Sequence, residues 1–181
     1  MCGVGGIMYK NSRSLGPASV GMDLVKMLDA MAHRGSDSTG ITVAGQGISD
    51  DLIIRLWTGD AESAEEVMAR AEDAVGRVGA AVTGRRSWGG FLRLTVNYEG
   101  EISPLADALI GTPSVSLHSI GAVSEVVKDV GTALDMEGKH HVGDLKGTHG
   151  IGHVRMATES KVDINHAHPF WAFPFPDITV V

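Results

Sequence analysis

Apolar residues recur at helical spacing from Val20 to Met31, with Val20, Leu24, Val25, Met27, Leu28 and Met31 set off by Asp23, Lys26 and Asp29. That pattern predicts an amphipathic helix. Ahead of it, Gly3 to Tyr9 reads as a short glycine-rich strand. Behind it, the polar run His33-Arg34-Gly35-Ser36-Asp37-Ser38 reads as a turn feeding a strand from Thr39 to Ala44. Further on, Leu92, Leu94, Val96 and Tyr98 alternate with Arg93, Thr95 and Asn97, the mark of a half-buried strand. Leu52 to Trp57 and Val115 to Ile120 are expected as strands, Ala61 to Val75 and Val123 to Met136 as helices. Gly89-Gly90 and Thr112-Pro113 punctuate the joins, and Arg85-Arg86 reads as a solvated turn. The Gly-rich segment that holds His149 and His153 reads as strand, and Asp177 to Val181 as a strand beginning. Strands match or outnumber helices and neither type gathers at one end, so an α+β layered domain is expected. The pattern does not give the order of strands in a sheet.

Composition narrows the class. The chain has 181 residues, 43% of them hydrophobic and 20% charged, enough for a soluble domain with a substantial core. A formal net charge of -7 argues against a nucleic-acid partner, which calls for a basic face. No apolar run approaches the ~20 residues of a membrane-spanning helix, and Met1 to Lys10 lack the basic start and long apolar core of a secretory signal. A cytoplasmic location is therefore the default expectation. The single cysteine excludes an internal disulfide and is compatible with a reducing compartment.

That cysteine is Cys2, and its position gives it chemistry. Removal of the initiator methionine before so small a residue would make Cys2 the first residue of the mature protein. A free α-amino group has a pKa of about 7.7–8.0, so near neutral pH it can accept a proton. The thiol needs such a base, because its own pKa is about 8.5 and the thiolate is the attacking form. An N-terminal cysteine thus carries nucleophile and general base on one residue.

With these residues in view, a resemblance becomes specific. Cys2-Gly3-Val4-Gly5-Gly6 followed by His33-Arg34-Gly35-Ser36-Asp37-Ser38-Thr39-Gly40 resembles the opening of class II glutamine amidotransferase domains. Gly150-Ile151-Gly152-His153-Val154-Arg155-Met156-Ala157-Thr158 resembles that family's arginine-bearing motif, and His166-Ala167-His168-Pro169-Phe170 its Asn-Ala-His-Pro motif. These blocks stand in the family's order and span nearly the whole chain. Residues from about Gly45 to Gly147 carry no such motif and read as an insert-like middle within one domain covering residues 1–181. The third and fourth blocks are most similar to stand-alone glutaminase subunits of glutamate-synthase-type and N-methylglutamate-synthase-type systems.

The resemblance implies an N-terminal-nucleophile hydrolase with a four-layer αββα sandwich and no cofactor. It also implies roles for particular residues. Cys2 would attack the side-chain amide carbon of glutamine, release ammonia and leave a γ-glutamyl thioester for water to hydrolyse. Arg34 would sit beside the nucleophile and order the site. Arg155 would bind the glutamine α-carboxylate through its planar fork of donors, and Thr158 would add a hydrogen bond to the same group. Asp37 and Gly40 are expected to shape the turn, His168 and Pro169 the wall of the pocket. Ammonia would pass to a synthase subunit or domain.

The sequence also departs from the family. Many members carry tryptophan after the motif arginine and histidine after the threonine, where this chain has Met156 and Glu159. The family's oxyanion-forming Asn-Gly pair follows a strand like Ile178 to Val181, and an acidic residue for the glutamine α-amino group comes later. The 181-residue chain is accordingly expected to lack the C-terminal part of the fold and to be inactive alone. Rival classes are a non-catalytic structural or regulatory relative, a cysteine hydrolase of another amide, and a metal-binding domain built on the eight histidines. The last meets a geometric objection, since His149 and His153 on one strand face stand about 13 Å apart, too far for one ion. A phosphate-cradling role for Gly3, Gly5 and Gly6 fails because no strand precedes them.

Overall fold

The computed structural model describes residues 2–10, 17–45, 50–59, 63–158 and 161–181. It is a mixed α+β structure whose described residues form four α-helices and two four-stranded sheets. In chain order the elements are β1 (Gly3–Met8), α1 (Val20–Asp29), β2 (Ser38–Ala44), β3 (Asp51–Trp57), α2 (Ala64–Arg77), β4 (Ala81–Trp88), β5 (Phe91–Asn97), α3 (Ile102–Ile110), β6 (Ser116–Gly121), β7 (Ser124–Val130), α4 (Ala133–His140) and β8 (His149–Arg155). The two-residue strands β9 (Phe170–Trp171) and β10 (Thr179–Val180) make a small separate sheet. No helix among the described residues is long and apolar enough to cross a membrane.

The chain divides into two compact units, one of Met1–Ile48, Val126–Phe170 and Thr179–Val181, the other of Ser49–Glu125 and Trp171–Ile178. In the first unit the strand order is β1-β8-β2-β7, and β8 runs antiparallel to both β1 and β2. Residues Ile41, Val43 and Val154 point to one face of this sheet, where they pack with Val20, Leu24, Val25 and Leu28 of α1 and Ala133 and Met136 of α4. Glycines make the close approach possible. A Cβ on Gly150 would lie 2.9 Å from side-chain carbons of Val20 and Leu24, and one on Gly152 2.7 Å from Leu28.

The second unit repeats the principle. Its antiparallel sheet has the order β4-β5-β3-β6. Leu52, Ile54 and Leu56 of β3 and Leu92, Leu94 and Val96 of β5 form the apolar face, covered by Met68, Ala71 and Val75 of α2 and Leu105, Ala106 and Leu109 of α3. The alternation from Leu92 onward is therefore a strand with one face in a core.

Three expectations are corrected. Val123 to Met136 is not one helix but strand β7 followed by helix α4. Gly131 breaks the segment at a φ of 97°, a left-handed conformation that glycine adopts freely. Thr132 then caps α4 in a reciprocal box, its hydroxyl accepting from the Asp135 amide while the Asp135 carboxylate accepts from the Thr132 amide. Arg85 and Arg86 are not a turn but lie in β4; Arg85 pairs with Glu65 and Glu72, each at 2.5 Å, and Arg86 stands over the Trp88 ring. Gly40 lies within β2 and not in a turn. The expected start of a helix at Ala61, the residue Glu159 and the terminal Met1 fall outside the described residues.

Candidate active site

Strand register assembles the candidate residues from distant parts of the chain. Gly3 pairs with Val154 and Ser38 with Arg155 across β8. Side chains alternate along strands, so Cys2, Arg155 and Ser38 fall in one row on the sheet face opposite α1. Val4, His153 and Gly40 form the next row, since Val4 and Gly40 both pair with His153.

Cys2 is an exposed free cysteine at the edge of this sheet. Its sulfur lies 3.9 Å from the Met156 carbonyl oxygen, and its own carbonyl accepts a hydrogen bond from Arg34 Nε at 3.2 Å. Arg34 ends the short helical turn Ala32–Arg34, so the polar block after α1 is delivered directly to the residue that carries the thiol. The same block grips the end of β8. The Asp37 amide donates to the Arg155 carbonyl at 3.0 Å, and the Asp37 carboxylate accepts from the Ala157 amide at 2.7 Å. Gly35 permits this contact, since a Cβ there would stand 2.4 Å from the Arg155 carbonyl carbon. Arg155 itself is buried, and its Nη1 donates to the Lys161 carbonyl at 3.3 Å. Thr158, three residues on, is exposed.

The fourth block folds over the second row. His168 and Pro169 join through a cis peptide bond, and the His168 carbonyl oxygen and the Pro169 ring lie directly over Gly40, where a Cβ would meet them at 2.1 and 3.0 Å. The His168 ring lies 4.7 Å from that of His153 and 4.5 Å from that of Phe170, centroid to centroid. Lys128 of β7 completes the cluster, donating from Nζ to the Ala167 carbonyl at 2.9 Å and resting 4.6 Å above the Phe170 ring.

This environment is cationic and partly to fully buried, and both properties act on its titratable groups. Burial, then His168, then Arg155 push His153 down to about 4. Burial with the charges of Lys128 and Arg155 lowers His168. Burial brings Lys128 down to about 8 although Asp163 opposes the shift. Both histidines are therefore neutral at pH 7. The Nδ1 atoms of His153 and His168 and the hydroxyl of Ser38 are buried without a hydrogen-bond partner.

The structure thus brings Cys2, Arg34, Asp37, Arg155, Gly40, His168 and Pro169 into one unit and leaves Thr158 on its surface. Sequence reasoning missed Lys128, Ser38 and the pairing of His153 with His168. Strand phase carries a signal for two of them, since Ser38 stands two residues before Gly40 and His153 two before Arg155, each on the same face as its neighbour. Nothing local marks Lys128. Among the described residues no group of three or more His, Cys, Asp or Glu side chains could hold a metal ion. His140 is instead bonded to Asp129 at 2.9 Å and His166 to Asp163 at 2.7 Å.

The geometry defines an α+β protein with an exposed thiol and a buried arginine at the same end of one sheet. No family model matches the chain. It is similar over 100% of its length to a protein named "Putative glutamine amidotransferase" from Methanothermobacter thermautotrophicus, at 32% identity across 186 residues covering 60% of that relative. It is also 31% identical over 173 residues to "Glutamine amidotransferase-like protein GlxB" of Rhizobium meliloti, covering 94% of this chain and 54% of the other. The chain spans a little over half the length of the curated relatives it matches. These likenesses support a domain of glutamine-amidotransferase type.

Proposed function

We propose that this chain carries the glutaminase site of a class II glutamine amidotransferase, with Cys2 as N-terminal nucleophile after loss of Met1. The observation that carries the reading is the register that brings Cys2, one residue ahead of β1, to the end of β8 that holds Arg155, with its sulfur 3.9 Å from the Met156 carbonyl oxygen, from blocks more than a hundred residues apart in sequence. In this reading the Cys2 α-amino group takes the thiol proton, and the thiolate attacks the glutamine amide carbon. The tetrahedral intermediate collapses with proton transfer to the leaving nitrogen, ammonia departs, and water hydrolyses the γ-glutamyl thioester to glutamate. Arg155 holds the α-carboxylate, with Thr158 as a second donor, and Arg34 fixes the Cys2 backbone through its carbonyl. Ammonia is delivered to a synthase partner, of the glutamate-synthase or N-methylglutamate-synthase type. The αββα sandwich of this class is part of the same proposal; what supports it is that each unit, taken by itself, packs helices against one face of a four-stranded sheet.

The test is Cys2→Ala in the full coding frame. Glutamine hydrolysis, read as glutamate and ammonia release, is expected to vanish while glutamine binding persists, because only the nucleophile has been removed. Hydrolysis that survives the substitution would overturn the assignment of Cys2. Loss of binding together with activity would point to a structural role for the thiol.

A further inference from the structure

Among the described residues of the first unit, three buried side-chain polar atoms have no hydrogen-bond partner, and one of them belongs to the residue paired with Arg155. Ser38 is 0% exposed and pairs directly with Arg155 across the β2–β8 ladder, on the flank opposite Cys2. Side chains directly opposite in an antiparallel pair have Cβ atoms about 4.5–5.5 Å apart, so Ser38 is the direct cross-strand neighbour of Arg155. A buried hydroxyl left unpaired costs about 1–3 kcal/mol, and native structures rarely tolerate that without a use for the group. Thr39, the next residue, shows the contrast: it points to the other face, and its hydroxyl is satisfied by the Gly131 carbonyl at 2.8 Å.

We infer that Ser38 is a substrate-recognition residue whose hydroxyl donates to the α-carboxylate of glutamine alongside Arg155, an inference that rests on glutamine being the substrate. The spacing suits the ligand. Adjacent strands are about 4.8 Å apart, and the amide carbon and carboxylate carbon of extended glutamine are separated by roughly 5 Å. An extended glutamine reaching from the thiol at β1 therefore brings its carboxylate over β8, which carries Arg155, one strand spacing from Ser38 on β2. A carboxylate presents several lone-pair sites, so one can accept a hydroxyl hydrogen bond while Arg155 occupies the others.

The experiment compares L-glutamine binding by calorimetry to the Cys2→Ala protein and to the Cys2→Ala, Ser38→Ala double variant, with the thermal midpoint of each. Loss of a hydrogen bond to a charged group is expected to weaken glutamine roughly tenfold. The midpoint should hold or rise, because a buried unpaired hydroxyl has gone. Ser38→Cys, which keeps the shape and offers only a weak donor, should weaken binding in the same direction. A merely structural serine would lower stability and leave affinity unmoved, and that result overturns the inference. Unchanged glutamine affinity in both Ser38 variants also overturns it while leaving glutamine as substrate. Failure of the Cys2→Ala protein itself to bind glutamine removes the substrate assignment, and this inference with it.

Discussion

His153 shows what the site demands of a single residue. It is 5% exposed, in tilted ring contact with His168 and close enough to Arg155 for that charge to act on it, and burial with these two neighbours brings its pKa to about 4. An unfolded histidine titrates near 6.5. Above that pH neither state carries the proton and the full stability is present. As the pH falls from about 6.5 toward 4, the unfolded chain takes up a proton that the folded protein refuses, so stability declines by up to roughly 3 kcal/mol. His168 is shifted in the same direction and adds to the loss. Lys128, brought down only to about 8, keeps its charge throughout that window and does not offset the loss. Urea unfolding at pH 7 and at pH 4.5 should show this decline, and His153→Gln should flatten it. An equal decline in the variant would mean that the acid sensitivity lies elsewhere.

At the scale of elements, β2 works because Gly40 has no side chain. The strand is buried along its whole length, and at Gly40 the backbone oxygen of His168 occupies the place a Cβ would take, at 2.1 Å, with Lys128 Cβ 2.7 Å away. Gly40→Ala must therefore push the His168-Pro169 segment off the sheet. A loss of about 2–3 kcal/mol is expected from such overpacking, measurable as a lower urea midpoint with the denaturant slope unchanged. A midpoint within error of wild type would show that the segment yields freely. The sequence marked this glycine as part of a motif but assigned it to a turn, because the backbone oxygen it makes room for comes from 128 residues further along. The same limit explains β7. Val123, Val126, Val127 and Val130 recur at three- and four-residue spacing, which fits a helix as well as a strand. What decides is pairing with β2 and the break at Gly131, and only the second can be read locally. Helix α1 and strand β5 were legible because each buries one face and exposes the other, so their periodicity is clean.

Across the whole molecule, all the motif blocks fall in the first unit, and the long stretch without a motif supplies nearly all of the second. The order of the blocks could be read from the sequence, but the register that turns them into adjacent side chains is a property of the sheet. The second unit has its own buried chemistry, which no motif announced. Glu125 is 1% exposed and receives Arg55 at 2.5 Å and Arg93 at 2.9 Å, while Arg55 also lies 5.2 Å from the centre of the Trp88 ring. Burial alone would push the Glu125 carboxyl up, yet the two arginines overcome it and hold the group below the usual carboxylate range. Burial pulls Arg55 down despite Glu125, with Arg93 adding to the effect. The three groups thus depend on one another for their charge. Removing only the anion leaves two guanidinium groups facing each other in the interior, and a buried pair broken on one side costs about 3–5 kcal/mol. Glu125→Gln should lose that much in equilibrium unfolding, whereas the combined change Arg55→Met, Glu125→Leu, Arg93→Leu should recover most of it, because apolar replacements of similar size carry no charge to desolvate. A Glu125→Gln protein within about 1 kcal/mol of wild type would mean that water reaches the arginines and that the interior around β3 and β5 is wetter than its burial indicates.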